Sequence, residues 1–237
     1  MAQAFCGYLP YRKHFSLGAC FFAVYVFSLP ANESRYDDNK SEWSPLMLAI
    51  HSKNNAEAQR LIQNGADIMY SVEGFSKRHA FTAMFVAIFE DNEDAVLMLL
   101  KTKKQEDIND YYLLACGAQN VFIVKLFLFF GADINYVDED GCSAVFEAAY
   151  VGKSEVLEYL LEMKANPNLP RISDQSTALI VAVQNCKWEN VKLLIKYGVD
   201  KYHKNKFGMT AYNYFVGEEG SKDTKDAGKN ELRALLK

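Results

Sequence analysis

The chain has 237 residues, half of them apolar and 24% charged, with a net charge of −4. That length admits one or two domains, and the apolar share supplies a substantial core and excludes a chain disordered throughout. The mild negative charge comes without any Lys/Arg block, which argues against a nucleic-acid or acidic-membrane partner.

Taken from the amino terminus, Arg12, Lys13 and His14 precede an apolar run from Phe15 to Leu29, with Pro30-Ala31 at its exit. A basic start, about 15 apolar residues and a small residue fit a secretory signal peptide over residues 1–31. The run falls short of the about 20 apolar residues that span a bilayer comfortably, so no stable membrane span is expected after cleavage. The expected location is then exported, periplasmic or secreted; an uncleaved segment would leave the chain cytoplasmic. Residues 32–40 read as a polar linker.

From residue 41 onward the chain repeats itself with a period near 33 residues, the mark of a stacked solenoid. Six residues, Ser44, Thr82, Asp110, Ser143, Thr177 and Thr210, stand where a first helix would begin. Each has a side-chain oxygen able to accept from an amide of the first helical turn. Five positions on, the first five copies have Ala49, Ala87, Ala115, Ala148 and Ala182, small enough for neighbouring helices to approach closely; the sixth has Phe215. Seventeen and eighteen positions after the cap come the apolar pairs Leu61/Ile62, Leu99/Leu100, Phe127/Leu128, Leu160/Leu161 and Leu194/Ile195. They mark the buried stripe of a second helix. Gly65, Gly131 and Gly198 are placed to close that helix in a left-handed cap.

Ser44-Pro-Leu-Met-Leu-Ala49, Thr177-Ala-Leu-Ile-Val-Ala182, Gly65-Ala-Asp67 and Gly131-Ala-Asp-Ile-Asn135 resemble the phrases of the ankyrin-repeat family. The resemblance covers about residues 40–237, although only Pro45 keeps the family's proline and no copy has its histidine. It implies an all-α, ankyrin-repeat α-solenoid of helix–turn–helix plus hairpin-loop units. About six repeats are expected, over residues 41–70, 71–109, 110–136, 137–169, 170–202 and 203–237. Stability would come from the interfaces between neighbours.

Chemistry-bearing motifs are absent from the sequence. The four histidines, His14, His51, His79 and His203, form no HExxH, and no GxSxG, P-loop or GxGxxG occurs. Five cysteines occur, none in a CxxC pair. Asp138-Glu139-Asp140-Gly141 lacks the alternating ligands and terminal Glu of a calcium loop and reads as a solvated turn. The expectation is therefore no enzyme, no cofactor, no metal and no catalytic residue, with another protein as the partner. The resemblance places that partner on the hairpin tips and on a concave face made by the first helices. Offsets four, seven and eight from the caps give Leu48, His51, Val86, Phe89, Glu90, Leu114, Glu147, Tyr150, Val181 and Gln184 as its residues, with Phe89 and Tyr150 as aromatic anchors. An accessory or inhibitor acting on one enzyme would use the same surface, and an enzyme site assembled across repeats is a third reading. Phe122 and Phe129 lie at offsets that usually point outward, either as a second contact patch or within an interface thickened by the long second repeat.

Overall fold

Helix starts are written by hydroxyl side chains. In the computed structural model, which describes residues 40–72, 81–102, 108–151, 154–219 and 227–237, Ser44 Oγ accepts from the Met47 amide at 3.3 Å and Pro45 opens α1 (Pro45–His51). A proline fits there because the first helical amide lacks an intrahelical partner anyway. Thr82 caps α3 (Ala83–Phe89) through the Phe85 amide at 3.1 Å, and Ser143 caps α7 (Ala144–Val151) through Phe146 at 3.2 Å. At α11 (Ala211–Glu219) the cap is reciprocal: Thr210 Oγ1 accepts from the Asn213 amide while Asn213 Oδ1 accepts from the Thr210 amide. Thr177 holds the N-cap place of α9 (Ala178–Gln184) without a side-chain cap bond. Asp110 departs from the expected register, because α5 (Ile108–Ala118) already contains it in its first turn.

Each first helix is followed by a second: α2 (Asn55–Gln63), α4 (Glu93–Leu100), α6 (Val121–Phe129), α8 (Ser154–Glu162), α10 (Trp188–Lys196) and α12 (Ala227–Leu236). Gly65, Gly131 and Gly198 do follow α2, α6 and α10 with φ of +82°, +101° and +75°. In each turn two amides return to carbonyls of the helix just ended, as Gly131 to Leu128 and Ala132 to Phe127. After α8 the same turn is made by Lys164 at φ +64°, with Lys164 and Ala165 bonded back to Leu161 and Leu160.

The described residues divide into two compact units, one ending at Asp133 and one running Ile134–Lys237. In the first, α1 packs on α3 and α3 on α5, with α2 against α4 and α4 against α6. A short antiparallel pair, β1 (Ser71–Val72) and β2 (Phe81–Thr82), precedes α3. In the second unit α7 packs on α9 and α9 on α11, with α8 against α10 and α10 against α12. The five alanines of the repeat are buried, as is Phe215, which meets Trp188 edge-on at 5.8 Å. Leu99/Leu100 and Leu160/Leu161 of the second-helix stripe are buried, as are Phe127 and Leu194, whereas Leu128, Ile195 and both Leu61 and Ile62 are half-buried.

Buried amide side chains lock the repeats in register. Asn92, the N-cap of α4, donates to the Ile50 carbonyl at 3.1 Å and to Asn55 Oδ1 at 2.9 Å. Asn190 on α10 donates to the carbonyls of Ala148 and Ala149 on α7. A buried donor needs such a partner to avoid the full desolvation penalty.

Candidate functional site

Short first helices flanked by like helices leave only their last turn open. This decides which of the ten expected contact residues reach solvent. In the first unit, Val86 and Leu114 at offset four are buried, because α3 lies between α1 and α5 and its mid-helix side chains meet those neighbours. Leu48, at the same offset on the outermost first helix, is 42% exposed. In the second unit Glu147 and Val181 are buried by the same packing of α7, α9 and α11. Those four residues, Val86, Leu114, Glu147 and Val181, are core and not contact residues. His51, Phe89, Glu90, Tyr150 and Gln184, at offsets seven and eight, are half-exposed.

His51, Phe89 and Glu90 come together in the first unit. His51 Nδ1 and Glu90 Oε1 are hydrogen-bonded at 2.6 Å, tying the last turn of α1 to the cap of α3. The Trp43 ring meets His51 edge-on at 5.5 Å, so the imidazole is held on both sides. An aromatic run connects this surface to the core. Trp43 lies 6.3 Å from Phe81, Phe81 meets Phe85 edge-on at 5.1 Å, and Phe85 stacks on Phe89 at 6.2 Å with 10° between planes. Phe89 thus presents an apolar face that is already immobilised, so little rotamer entropy opposes its burial by a partner. In the second unit Tyr150 and Gln184 lie in the last turns of the neighbouring helices α7 and α9.

Phe122 and Phe129 on α6 are 48% and 84% exposed, so an interface thickened by the second repeat does not account for them. Cys116 is buried.

The hairpin tips of the second unit carry a feature that the offset pattern alone does not reveal. Asp138, Arg171 and Asn205 occupy equivalent places, and their amides bond to the carbonyls of Cys142, Ser176 and Met209. Asp138 Oδ1 accepts from the Asp140 and Cys142 amides, so this carboxylate organises its own turn. Asn205 Oδ1 does the same for Phe207 and Met209. The middle tip is one residue longer, and there Asp174 takes over. It accepts from the Ser176 amide and hydroxyl, and it binds Arg171 through Nε at 3.0 Å and Nη2 at 2.6 Å. The Arg171 guanidinium lies over the Phe146 ring at 5.2 Å. The tips are joined to one another: the Ile172 amide donates to the Asp140 carbonyl at 2.8 Å, and the Lys206 amide to the Asp174 carbonyl at 2.9 Å. Gly141 is obligatory in this row, since a Cβ there would lie 2.5 Å from Ile172 N at a φ of +79°. The signal in the sequence was the cap register itself, which places Asp138 and Asn205 five residues before Ser143 and Thr210.

Electrostatics single out two buried carboxyls in the second unit. Burial, reinforced by the like charge of Asp138 and only partly offset by Arg171, pushes the Glu147 carboxyl up to about 8, and among the described residues its Oε2 has no hydrogen-bond partner. Asp174 goes the other way: against the cost of its burial, the bonds from Arg171 and Ser176 hold it below the usual carboxylate range.

Helix pairs joined by hydrogen-bonded tips, stacked on their neighbours through small residues, define an all-α repeat protein. The family of ankyrin repeats (3 copies) matches residues 19–111 and 113–216, and the chain belongs to that family. It is 35% identical over 85 residues to an ankyrin repeat-containing protein of Treponema pallidum (strain Nichols), covering 35% of this chain and 28% of that protein. It is 28% identical over 185 residues to the ankyrin repeat and KH domain-containing protein mask-1 of Caenorhabditis elegans, covering 76% of this chain and 7% of that protein. With an ankyrin repeat protein of Fowlpox virus (strain NVSL) it shares 28% identity over 97 residues, 40% of this chain and 16% of that one. The chain thus spans well under a third of each of these relatives. Ankyrin repeats are generally protein–protein interaction modules.

Proposed function

We propose that the chain is a non-enzymatic protein-binding module whose contact residues are the half-exposed ends of its first helices. In the first unit these are Leu48, His51, Phe89 and Glu90, and in the second Tyr150 and Gln184. The carrying observation is the aromatic run ending in Phe89, beside a His51–Glu90 pair locked at 2.6 Å. A rigid apolar face next to a fixed polar pair combines the anchor and the orienting bond that interface hot spots use. Partner affinity, measured by calorimetry against a protein captured from the native source, is the test. Phe89→Ala should weaken binding by about 2 kcal/mol, with Tyr150→Ala tested separately and both melting as the parent does. Unchanged affinity in both variants would move the contact surface elsewhere.

We further propose that the chain acts outside the cytoplasm, on the order of charged, apolar and small residues in the segment 1–31. That segment and the polar stretch 32–39 lie outside the described residues. Mass spectrometry of the protein's own amino terminus should find a start near Asn32, and an intact Met1 would remove the export reading.

A further inference from the structure

At one and the same position of the three joined tips stand Glu139, Ile172 and Lys206. All three are exposed, Ile172 at 62%. Read along the row, the tips present an acid, an apolar side chain and a base. The acidic end is reinforced by Asp140 and the basic end by exposed Lys204. The row is also stiff. Its turns are closed by Asp138, Asp174 and Asn205, and the middle tip is bonded to both neighbours. A second contact from the middle to the basic end runs from Lys206 Nζ to the Ser173 carbonyl, and a third from His203 Nε2 to the Gln175 carbonyl at 2.7 Å.

Such a row is its own complement when turned end for end. A two-fold axis through the middle tip sets Ile172 against Ile172 and brings Glu139 of each copy to Lys206 of the other. That is the requirement of an isologous interface, in which residue i meets j and j meets i. A parallel superposition would instead oppose acid to acid and base to base, which costs several kcal/mol at an interface. We infer that the hairpin tips of the second unit are a homodimerisation surface, with a second copy of this chain bound antiparallel across Ile172. This surface shares no residue with the Phe89 face proposed for the partner protein, so the two readings stand or fall separately.

Sedimentation equilibrium of the full chain tests it. The parent should be a dimer at low ionic strength and dissociate as salt rises, because exposed charges are screened within about 10 Å at 0.1 M. Glu139→Lys and Lys206→Glu should each weaken self-association about tenfold or more, by placing like charges opposite one another. An equimolar mixture of those two variants should form a heterodimer, since each end of one then faces its opposite on the other. Ile172→Asp should be monomeric throughout, with circular dichroism showing the parent's helix content. A parent that stays monomeric at low salt overturns the inference. So does a dimer indifferent to the single reversals, or a pair of variants that fail to associate on mixing.

Discussion

Replacing Asp174 by alanine is expected to cost the fold about 3–5 kcal/mol, the usual penalty for breaking a buried ion pair by removing one partner. Arg171 and Asp174 are both nearly inaccessible, and the guanidinium also lies over the Phe146 ring. The variant also strands the Ser176 amide and hydroxyl, each of which donates to Asp174. The companion Asp174→Asn keeps an acceptor for Ser176 but loses the charge and the bidentate geometry, so an intermediate loss should result. The pH dependence has a definite sign. Asp174 titrates below its unfolded value, so its contribution is fully present above the unfolded carboxylate range near 4 and is lost as pH falls through the lower folded value. Urea denaturation at pH 7 and at pH 3 should therefore show a large gap between parent and Asp174→Ala at the higher pH and a smaller one at the lower. An equal gap at both would place the effect in packing and not in the ion pair.

The repeat was legible because its determinants are local and recur at fixed offsets. A hydroxyl before a helix caps it at Ser44, Thr82, Ser143 and Thr210, and alanines at offset five are buried in all five copies that have them. What escaped is set by neighbours in space. Offset four looks like offset seven on a helical wheel, yet Val86 is wholly buried while Phe89 is half-exposed, because the flanking helices cover the middle of α3 and not its end. Lys164 makes a left-handed turn that glycine makes elsewhere, held there by the returning amide bonds and not by its own preference. The pairing of Arg171 with Asp174 depends on a one-residue lengthening of the middle tip, which carries no periodic signature. The offset from Ser143 puts Glu147 on a contact face, whereas the packing of α7 against α9 buries it.

That buried glutamate gives the second large expectation. Glu147→Gln should leave stability near the parent's at pH 5, exceed it progressively up to about pH 8 and keep that margin above it. The folded-state value of about 8 lies above the ordinary carboxyl value of 4.5, so between those limits the folded chain holds a proton that the unfolded chain has released. Stability tied to this group is thus complete below about pH 4.5 and lost as pH rises through the folded value. Over that span of pH the shift corresponds to a loss on the order of 5 kcal/mol, which the neutral amide of glutamine does not suffer. The cause is burial: among the described residues Oε2 has no hydrogen-bond partner, the carboxylate of Asp138 adds like charge, and Arg171 is already committed to Asp174 by two bonds. The two predictions are therefore coupled. In Asp174→Ala the guanidinium loses its own carboxylate and becomes available to Glu147, and the alkaline destabilisation of the parent should shrink. Urea midpoints of the parent, Glu147→Gln, Asp174→Ala and the double variant, taken from pH 5 to pH 9, measure that coupling directly. A parent whose midpoint follows Glu147→Gln at every pH would mean that the Glu147 carboxyl finds solvent or a cation when it ionises. An Asp174→Ala variant with the parent's full alkaline loss would mean that Arg171 cannot turn from one carboxylate to the other.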